Sequence, residues 1–291
     1  MTFNDDANIG GGRASKRGRN TGIAVGGGVG AIALFLLSQF LGVDLSGLAG
    51  GGGGPQSPGT SLENCQTGAD ANADIDCRMK GAAASLEAYW AGELPALGAD
   101  YQSPQDLSLF TGSTGTGCGG ATSATGPFYC PPDATIYIDT AFFDELRTRF
   151  GSSGGPLAEM YVVAHEWGHH IQNITGTLER SRDGQTGAGS NAVRVELQAD
   201  CYAGSWAASA SSTTDASGVP FLKPITQAQV RDALSAASAV GDDRIQQATQ
   251  GQVNPEGWTH GSSEQRQRWF MTGFEQGAGG CDTFTPSDAG L

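Results

Sequence analysis

The chain has 291 residues, of which 46 are glycine, and only 16% of its residues are charged. This length allows one large domain or two small ones, and the glycine content predicts long loops. The formal net charge of −14 excludes nucleic acid as a favourable partner, because the phosphates would be repelled.

The N-terminal segment joins a basic tail to an apolar stretch. Residues 23–43 carry no charge, and this length suits one helical crossing of a membrane. We predict a cytoplasmic tail at 1–22 and a transmembrane helix at 23–43, because basic residues before a span stay in the cytoplasm. A glycine-rich linker at 44–61 and an extracytoplasmic domain at 62–291 follow. The alternative is a cleaved signal peptide, with a small-residue cleavage site at 47–49.

The six cysteines all lie beyond the apolar stretch, and their even number is compatible with three disulfides in an oxidising compartment. Fifteen pairings are possible, and the sequence alone does not choose among them. A cysteine-bound metal is the weaker alternative, because there is no CxxC pair. Pairing neighbours in sequence gives Cys65–Cys77 and Cys118–Cys130, and leaves Cys201–Cys281.

Apolar periodicity in the rest of the chain predicts an α+β fold that is mainly helical and has a small sheet. Serine caps mark two helix starts, and a proline in a first turn marks a third. The predicted strands are 128–130 and 135–139. The predicted helices are 77–94, 142–150, one that begins at Pro156, one capped by Ser190 or Asn191, 226–240, 242–250, and one that begins at Ser262.

The helix after Pro156 contains HEWGH, residues 165–169, which fits the pattern H-E-x-x-H. His165 and His169 are about one turn apart and project from the same face, so they can share one Zn²⁺. Glu166 is rotated about 100° from His165, beside the metal position, where a carboxylate suits a base acting on water that the metal activates. The alternative is a pair of packing or surface histidines.

A catalytic zinc needs a third protein ligand. The pattern HExxHxxGxxH is excluded, because positions 172 and 175 are glutamine and threonine. The next helix carries RVELQADCYAG, in which Glu196 and Asp200 are four residues apart on one face. We predict that Glu196 is the third ligand and that Asp200 accepts the spare N–H of a ligand histidine. A solvated acidic face is the alternative.

Three further residues have less specific signals. His170 is turned away from His169 and is predicted to pack or form hydrogen bonds. His260 precedes the last helix, where it is either a donor to the oxyanion of a reaction or an ordinary loop histidine. Arg266 is expected to pair with an acid such as Asp242 or Asp243.

Four segments together resemble the bacterial putative neutral zinc metallopeptidase family, over about residues 62–284. They are HEWGHHIQ, RVELQADCYAG, GPFYCPPDATIYIDTAFF and THGSSEQRQRWFMTGF with CDTF. The resemblance implies a membrane-anchored domain with a zincin-like core and one catalytic zinc. It also implies that His165, His169 and Glu196 are the ligands and that Glu166 is the catalytic carboxylate.

The sequence therefore predicts a membrane-anchored zinc metallopeptidase that acts on a peptide or protein substrate outside the cytoplasm. An edge strand near 136–138 is expected to hold an extended peptide by main-chain pairing. One alternative is a non-catalytic exported zinc-binding module that binds a partner. Another is an amidase that acts on cell-wall peptides. The sequence indicates no oligomeric state.

Overall fold

The computed structural model describes residues 2–17 and 60–291. Its helices are α1 (Gly68–Ala73), α2 (Ile75–Ala96), α3 (Phe142–Thr148), α4 (Pro156–Ile174), α5 (Asn191–Ser209), α6 (Gln227–Ala239), α7 (Asp242–Gln250) and α8 (Ser263–Gln276). Its strands are β1 (Ala14–Lys16), β2 (Thr60–Ser61), β3 (Asp106–Phe110), β4 (Ser113–Thr116), β5 (Gly119–Thr122), β6 (Phe128–Cys130) and β7 (Thr135–Asp139). The mainly helical α+β prediction is confirmed.

The predicted transmembrane helix at 23–43 and nearly all of the predicted linker at 44–61 lie outside the described residues. Among the helices that the structure describes, none is long and apolar enough to cross a membrane.

Five of the described strands form one sheet in the order β2-β1-β3-β7-β6, and β4 and β5 form a separate hairpin. Strands β1, β3 and β7 run parallel, and β6 pairs antiparallel with β7. The prediction of an edge strand near 136–138 is wrong, because β7 is buried and paired on both sides. The continuous apolar run of β7 is typical of such an inner strand. The edge strand on this side is β6, which follows residues 125–127.

Residues 2–17 pack within the same body as residues 60–291. Phe3 and Ile9 are fully buried in the main apolar core, and β1 pairs with both β2 and β3. The folded domain therefore includes residues 2–17, and does not begin at residue 62 as the sequence predicts. The buried apolar side chains near the N-terminus stabilise this arrangement.

Helices α4, α5 and α8 approach one another closely at glycines. A Cβ atom on Gly168 of α4 would lie 2.9 Å from the Cα of Ala199 in α5. A Cβ atom on Gly204 of α5 would lie 1.9 Å from the carbonyl oxygen of Phe270 in α8. Since no side chain fits at these crossings, the backbones of the three helices come together more closely than usual. The predicted metal ligands His165, His169 and Glu196 lie on α4 and α5.

The three disulfides join the pairs predicted from closeness in sequence: Cys65–Cys77, Cys118–Cys130 and Cys201–Cys281. The third closes the longest loop, with a sequence separation of 80 residues, and ties α5 to the segment after α8. A cross-link over such a distance restricts the unfolded chain most strongly.

Candidate metal centre

The two adjacent helices α4 and α5 bring three candidate ligand side chains together. His165 and His169 lie one turn apart on α4, and Glu196 faces them from α5. The Nε2 atom of His165 lies 3.1 Å from Oε2 of Glu196, and the Nε2 atom of His169 lies 3.4 Å from Oε1. All three residues are buried, and their ligand atoms lie within 4.8 Å of one another.

The donor set fits zinc. Two imidazole nitrogens and one carboxylate oxygen, each about 2.0–2.2 Å from a shared ion, match the ligands and count of a catalytic zinc site. The spacing between the ligand atoms leaves room for one cation at their centre. Within the residues that the structure describes, the other group of three close candidate ligands includes Cys65 and Cys77, which form a disulfide.

A different side chain holds the outer nitrogen of each ligand histidine. The Nδ1 atom of His165 lies 2.9 Å from Oδ1 of Asp200, and the Nδ1 atom of His169 lies 2.8 Å from Oε1 of Gln172. Because both partners are oxygen acceptors, each Nδ1 carries a proton, and Nε2 is the nitrogen of each ring that remains to bind a metal. Asp200 therefore lies within hydrogen-bond distance of His165.

Asp200 is itself clamped by α8. Arg266 donates from Nε to Oδ2 of Asp200 at 2.8 Å and from Nη2 to Oδ1 at 3.0 Å, and Tyr161 donates its hydroxyl to Oδ1. Burial would raise the pKa of Asp200, but the charges of Arg266 and His165 hold it below its ordinary value. The expected pairing of Arg266 with Asp242 or Asp243 is wrong, because Arg266 points from α8 toward α5 and pairs with Asp200.

The charges at the centre match a divalent cation. Glu166, Glu196 and Asp200 carry three negative charges when ionised, and Arg266 carries one positive charge. Their sum of −2 is balanced by Zn²⁺, whereas an uncompensated buried charge of this size would be costly. All four side chains are buried.

Glu166 lies outside the ligand set and lines a neighbouring cavity. The cavity has a volume of about 110 Å³, and His165 and Glu196 also contribute to its wall. Burial raises the pKa of the Glu166 carboxyl, although the nearby His165 and His169 oppose this. A carboxylate with a raised pKa beside a metal position suits a proton acceptor.

His260 lines the same cavity from the loop before α8. Its Nδ1 atom lies 3.1 Å from Oδ1 of Asp242, and its backbone N–H donates to Oδ2 of Asp242 at 2.7 Å. Burial would lower the pKa of His260, but the Asp242 carboxylate more than offsets this and raises it. The ring is therefore held protonated at Nδ1, at the edge of the cavity.

His170 forms hydrogen bonds elsewhere, as the sequence predicts. Its Nδ1 atom lies 3.1 Å from the hydroxyl of Tyr129 on β6, and its Nε2 atom lies 2.6 Å from the carbonyl oxygen of Gln102. Asn173 also donates to the Tyr129 hydroxyl, at 3.0 Å. This part of α4 therefore fixes the edge strand beside the cavity.

Sequence reasoning missed three residues that support the site. In the sequence Gln172 only excludes another metal-binding pattern, although its position three residues after His169 puts it within reach on the same helix. Asp242 and Arg266 gave no such signal, because their partners come from other parts of the chain.

The model of the family described as "Putative neutral zinc metallopeptidase" matches residues 3–284. The chain belongs to this family. The resemblance seen in the sequence motifs is thereby confirmed, and zinc is the cofactor that the family implies. The matched region begins within residues 2–17, in agreement with their packing in the folded domain.

Relatives in the family share most of this chain. An uncharacterized protein of Mycobacterium tuberculosis (strain ATCC 25618 / H37Rv) is 54% identical over 236 residues, which cover 80% of this chain and 79% of that protein. The uncharacterized protein YpfJ of Escherichia coli (strain K12) is 39% identical over 267 residues, 90% of this chain and 88% of that protein. No solved structure matches the chain.

Proposed function

We propose that this protein is a zinc metallopeptidase that hydrolyses peptide bonds, with Glu166 as the general base. The observation that carries the proposal is the arrangement of buried groups on α4 and α5, in which some can bind a metal and another can act as a base. Three side chains converge on one point, and Glu166 lies beside them, facing a cavity. A carboxylate outside the ligand set has no use in a site that only holds the fold.

His165, His169 and Glu196 would hold the zinc. When bound, zinc supplies a Lewis acid that polarises a carbonyl group and lowers the pKa of water. Glu166 accepts a proton from the attacking water and passes it to the amine that leaves when the peptide C–N bond breaks. The raised pKa of its buried carboxyl suits both halves of this transfer.

His260 stabilises the negative charge that develops on the carbonyl oxygen. The Nδ1–H of His260 donates a hydrogen bond to Asp242. Protonated His260 therefore carries its second proton on Nε2, which is then a donor. This role uses a charged donor at the edge of a partly enclosed cavity, where such an interaction is stronger than in bulk water.

Replacing Glu166 by glutamine tests the proposal. Glu166→Gln should lower kcat/KM for peptide cleavage by at least about 10³-fold, since it removes the proton acceptor, while leaving the zinc content unchanged. Glu275→Gln, at an exposed position of α8, removes the same charge and should keep full activity. Full activity of Glu166→Gln with zinc still bound would sink the catalytic assignment and favour a non-catalytic zinc-binding module.

We also propose that the domain works outside the cytoplasmic membrane. The three disulfides support this, because such bonds persist in oxidising compartments. Membrane attachment through 23–43 is part of the proposal. Lys16 and Thr60, which lie before and after that segment in sequence, pair with each other in the sheet. This pairing favours residues 2–17 on the same side of the membrane as the rest of the domain, instead of in the cytoplasm.

Labelling of single added cysteines tests this arrangement. Asp6→Cys and Ala216→Cys introduce thiols at exposed positions on either side of 23–43 in sequence. In intact cells, a reagent that does not cross membranes should label both. Labelling of position 216 alone would support one crossing of the membrane by residues 23–43, with the N-terminus in the cytoplasm. Labelling of neither position would place the domain in the cytoplasm.

A further inference from the structure

The cavity beside the metal centre has an apolar wall in addition to its charged lining groups. Five apolar side chains from four parts of the chain contribute to it: Phe142, Phe150, Val162, Val240 and Ile245. Phe150, Val240 and Ile245 are only half-buried, so part of their apolar surface faces the cavity. Covering such surface with an apolar ligand group is favourable.

The apolar wall lies next to the reacting groups. Val162 is one turn before Glu166 on the same face of α4, which is about 6 Å along the helix axis. Ile245 is three residues after Asp242 on α7, and Asp242 holds His260. The wall therefore lies near both the proposed base and the proposed oxyanion donor, which line the same cavity, and a side chain flanking the scissile bond would reach it.

Apart from Glu166, the proposed base, the charged groups of the cavity are paired with one another. Arg266 forms a double hydrogen bond with Asp200, Asp242 pairs with His260, and Glu196 contacts His165. A charged substrate side chain in this cavity would therefore lose its hydration and meet no unpaired counter-charge other than that of the proposed base. A small side chain would leave the apolar wall uncovered.

We infer that this cavity is the specificity pocket of the enzyme, and that it receives a large apolar side chain, such as that of leucine or phenylalanine, directly beside the scissile bond. The inference rests on the proposed peptidase function and names its substrate class. The preferred substrates are accordingly peptides with a leucine, isoleucine, methionine or phenylalanine at that position.

Cleavage of a peptide library by the zinc-loaded protein tests the pocket first. With both residues beside the scissile bond varied, one of the two positions should favour leucine or phenylalanine over alanine by about 10- to 100-fold in kcat/KM. Aspartate and lysine at that position should be cleaved more slowly still. Rates that agree within about threefold for all these residues at both positions would overturn the inference.

A change of charge at the pocket rim tests it a second way. Ile245→Glu adds a carboxylate to the apolar wall, and should lower the preference for leucine over lysine by about tenfold or more. Gln247→Glu adds the same charge to an exposed position of α7 and should leave the preference unchanged. If both variants keep the preference of the original protein, Ile245 does not form the pocket and the inference fails.

Binding separates failure of the pocket from failure of the proposed function. Peptides that carry phenylalanine or alanine at the selected position are titrated into zinc-loaded Glu166→Gln protein. If no cleavage is found, and so no position is selected, all library peptides with phenylalanine or leucine beside the central peptide bond are compared with their alanine counterparts. Tighter binding of the apolar peptides, by about tenfold, supports the pocket even when hydrolysis is absent. Equal binding of apolar and alanine peptides contradicts it, whether or not peptides are cleaved.

Discussion

His165 and His169 use the same atom, Nε2, toward the metal position, although different side chains orient them. Asp200 holds one ring from the neighbouring helix, and Gln172 holds the other from the same helix. Gln172 is itself fixed, because its amide donates to the carbonyl oxygen of Val195 at 2.7 Å. This chain of contacts sets the tautomer of each ligand before a metal binds.

The charge of Asp242 should control the alkaline limit of activity. Asp242 raises the pKa of His260, and Glu196 and Arg266, which also act on His260, oppose each other. In the proposed mechanism His260 donates to the oxyanion only when protonated, so activity should be present below its pKa and should be lost as pH rises through it. Asp242→Asn removes the group that raises the pKa, and so should move the alkaline limb of kcat/KM to lower pH.

A pH profile of peptide cleavage measures this shift. Asp243→Asn is the matched control, because Asp243 accepts hydrogen bonds from Ser263 at the start of α8. Its alkaline limb should stay where it is in the unchanged protein. An unmoved limb in Asp242→Asn would contradict the role given to His260.

At the scale of elements, the site depends on how closely α4 approaches α5. Gly168 lies between Glu166 and His169 in sequence, and Ala199 lies between Glu196 and Asp200. In the structure Gly168 faces the backbone of Ala199. The ligands of one helix reach those of the other because nothing separates the backbones at this point. The glycine inside HEWGH is therefore a packing requirement of the metal centre.

Gly168→Ala should separate these two helices and weaken the site. The added methyl group would lie 2.9 Å from the Cα of Ala199, and backbone cannot move aside cheaply. We expect the free energy of unfolding to fall by about 1–3 kcal/mol and the affinity for zinc to fall with it. Denaturant unfolding and competition with a zinc-binding dye measure the two effects.

The control for this change is Gly92→Ala in α2. A Cβ atom there would meet nothing within 4 Å, so alanine should raise the stability by about 0.5–1 kcal/mol through its better helix propensity. Equal stability and equal zinc affinity for Gly168→Ala and the unchanged protein would show that the close crossing is not needed.

At the scale of the molecule, residues 2–17 complete the core and the sheet. Phe3 is fully buried, and its ring lies against Gly81 of α2, where a Cβ atom would be 2.8 Å from it. The strand β1 lies between β2 and β3, so its loss would separate one edge of the sheet from the rest.

Truncation of Phe3 should therefore destabilise the whole domain. Phe3→Ala leaves a cavity in the main core and should lower the free energy of unfolding by about 3–5 kcal/mol. Asp6→Ala, at an exposed position of the same segment, should change it by less than about 0.5 kcal/mol. Denaturant unfolding of the purified protein measures both. An unchanged midpoint for Phe3→Ala would show that residues 2–17 contribute nothing to stability.

The elements that the sequence predicted are those with local signals. Ser190 and Ser262 cap α5 and α8 as expected, because each accepts a hydrogen bond from a backbone N–H three residues later. The HExxH spacing likewise needs only one turn of helix to place His165 and His169 together.

The features that the sequence did not predict depend on contacts between distant residues. The strand β1 pairs with β3, about 90 residues later, and neither strand has a strong alternating pattern. Arg266 and Asp200 are 66 residues apart, so no periodicity relates them. Such contacts follow from packing of the whole chain, which a single sequence does not encode in any short window.

X-ray diffraction at the zinc absorption edge tests the central claim most directly. Crystals of the zinc-loaded protein should give one strong anomalous peak in each chain, about 2.0–2.2 Å from Nε2 of His165, Nε2 of His169 and a carboxylate oxygen of Glu196. A peak at another place, or zinc bound to the histidines while Glu196 points into solvent, would contradict the account.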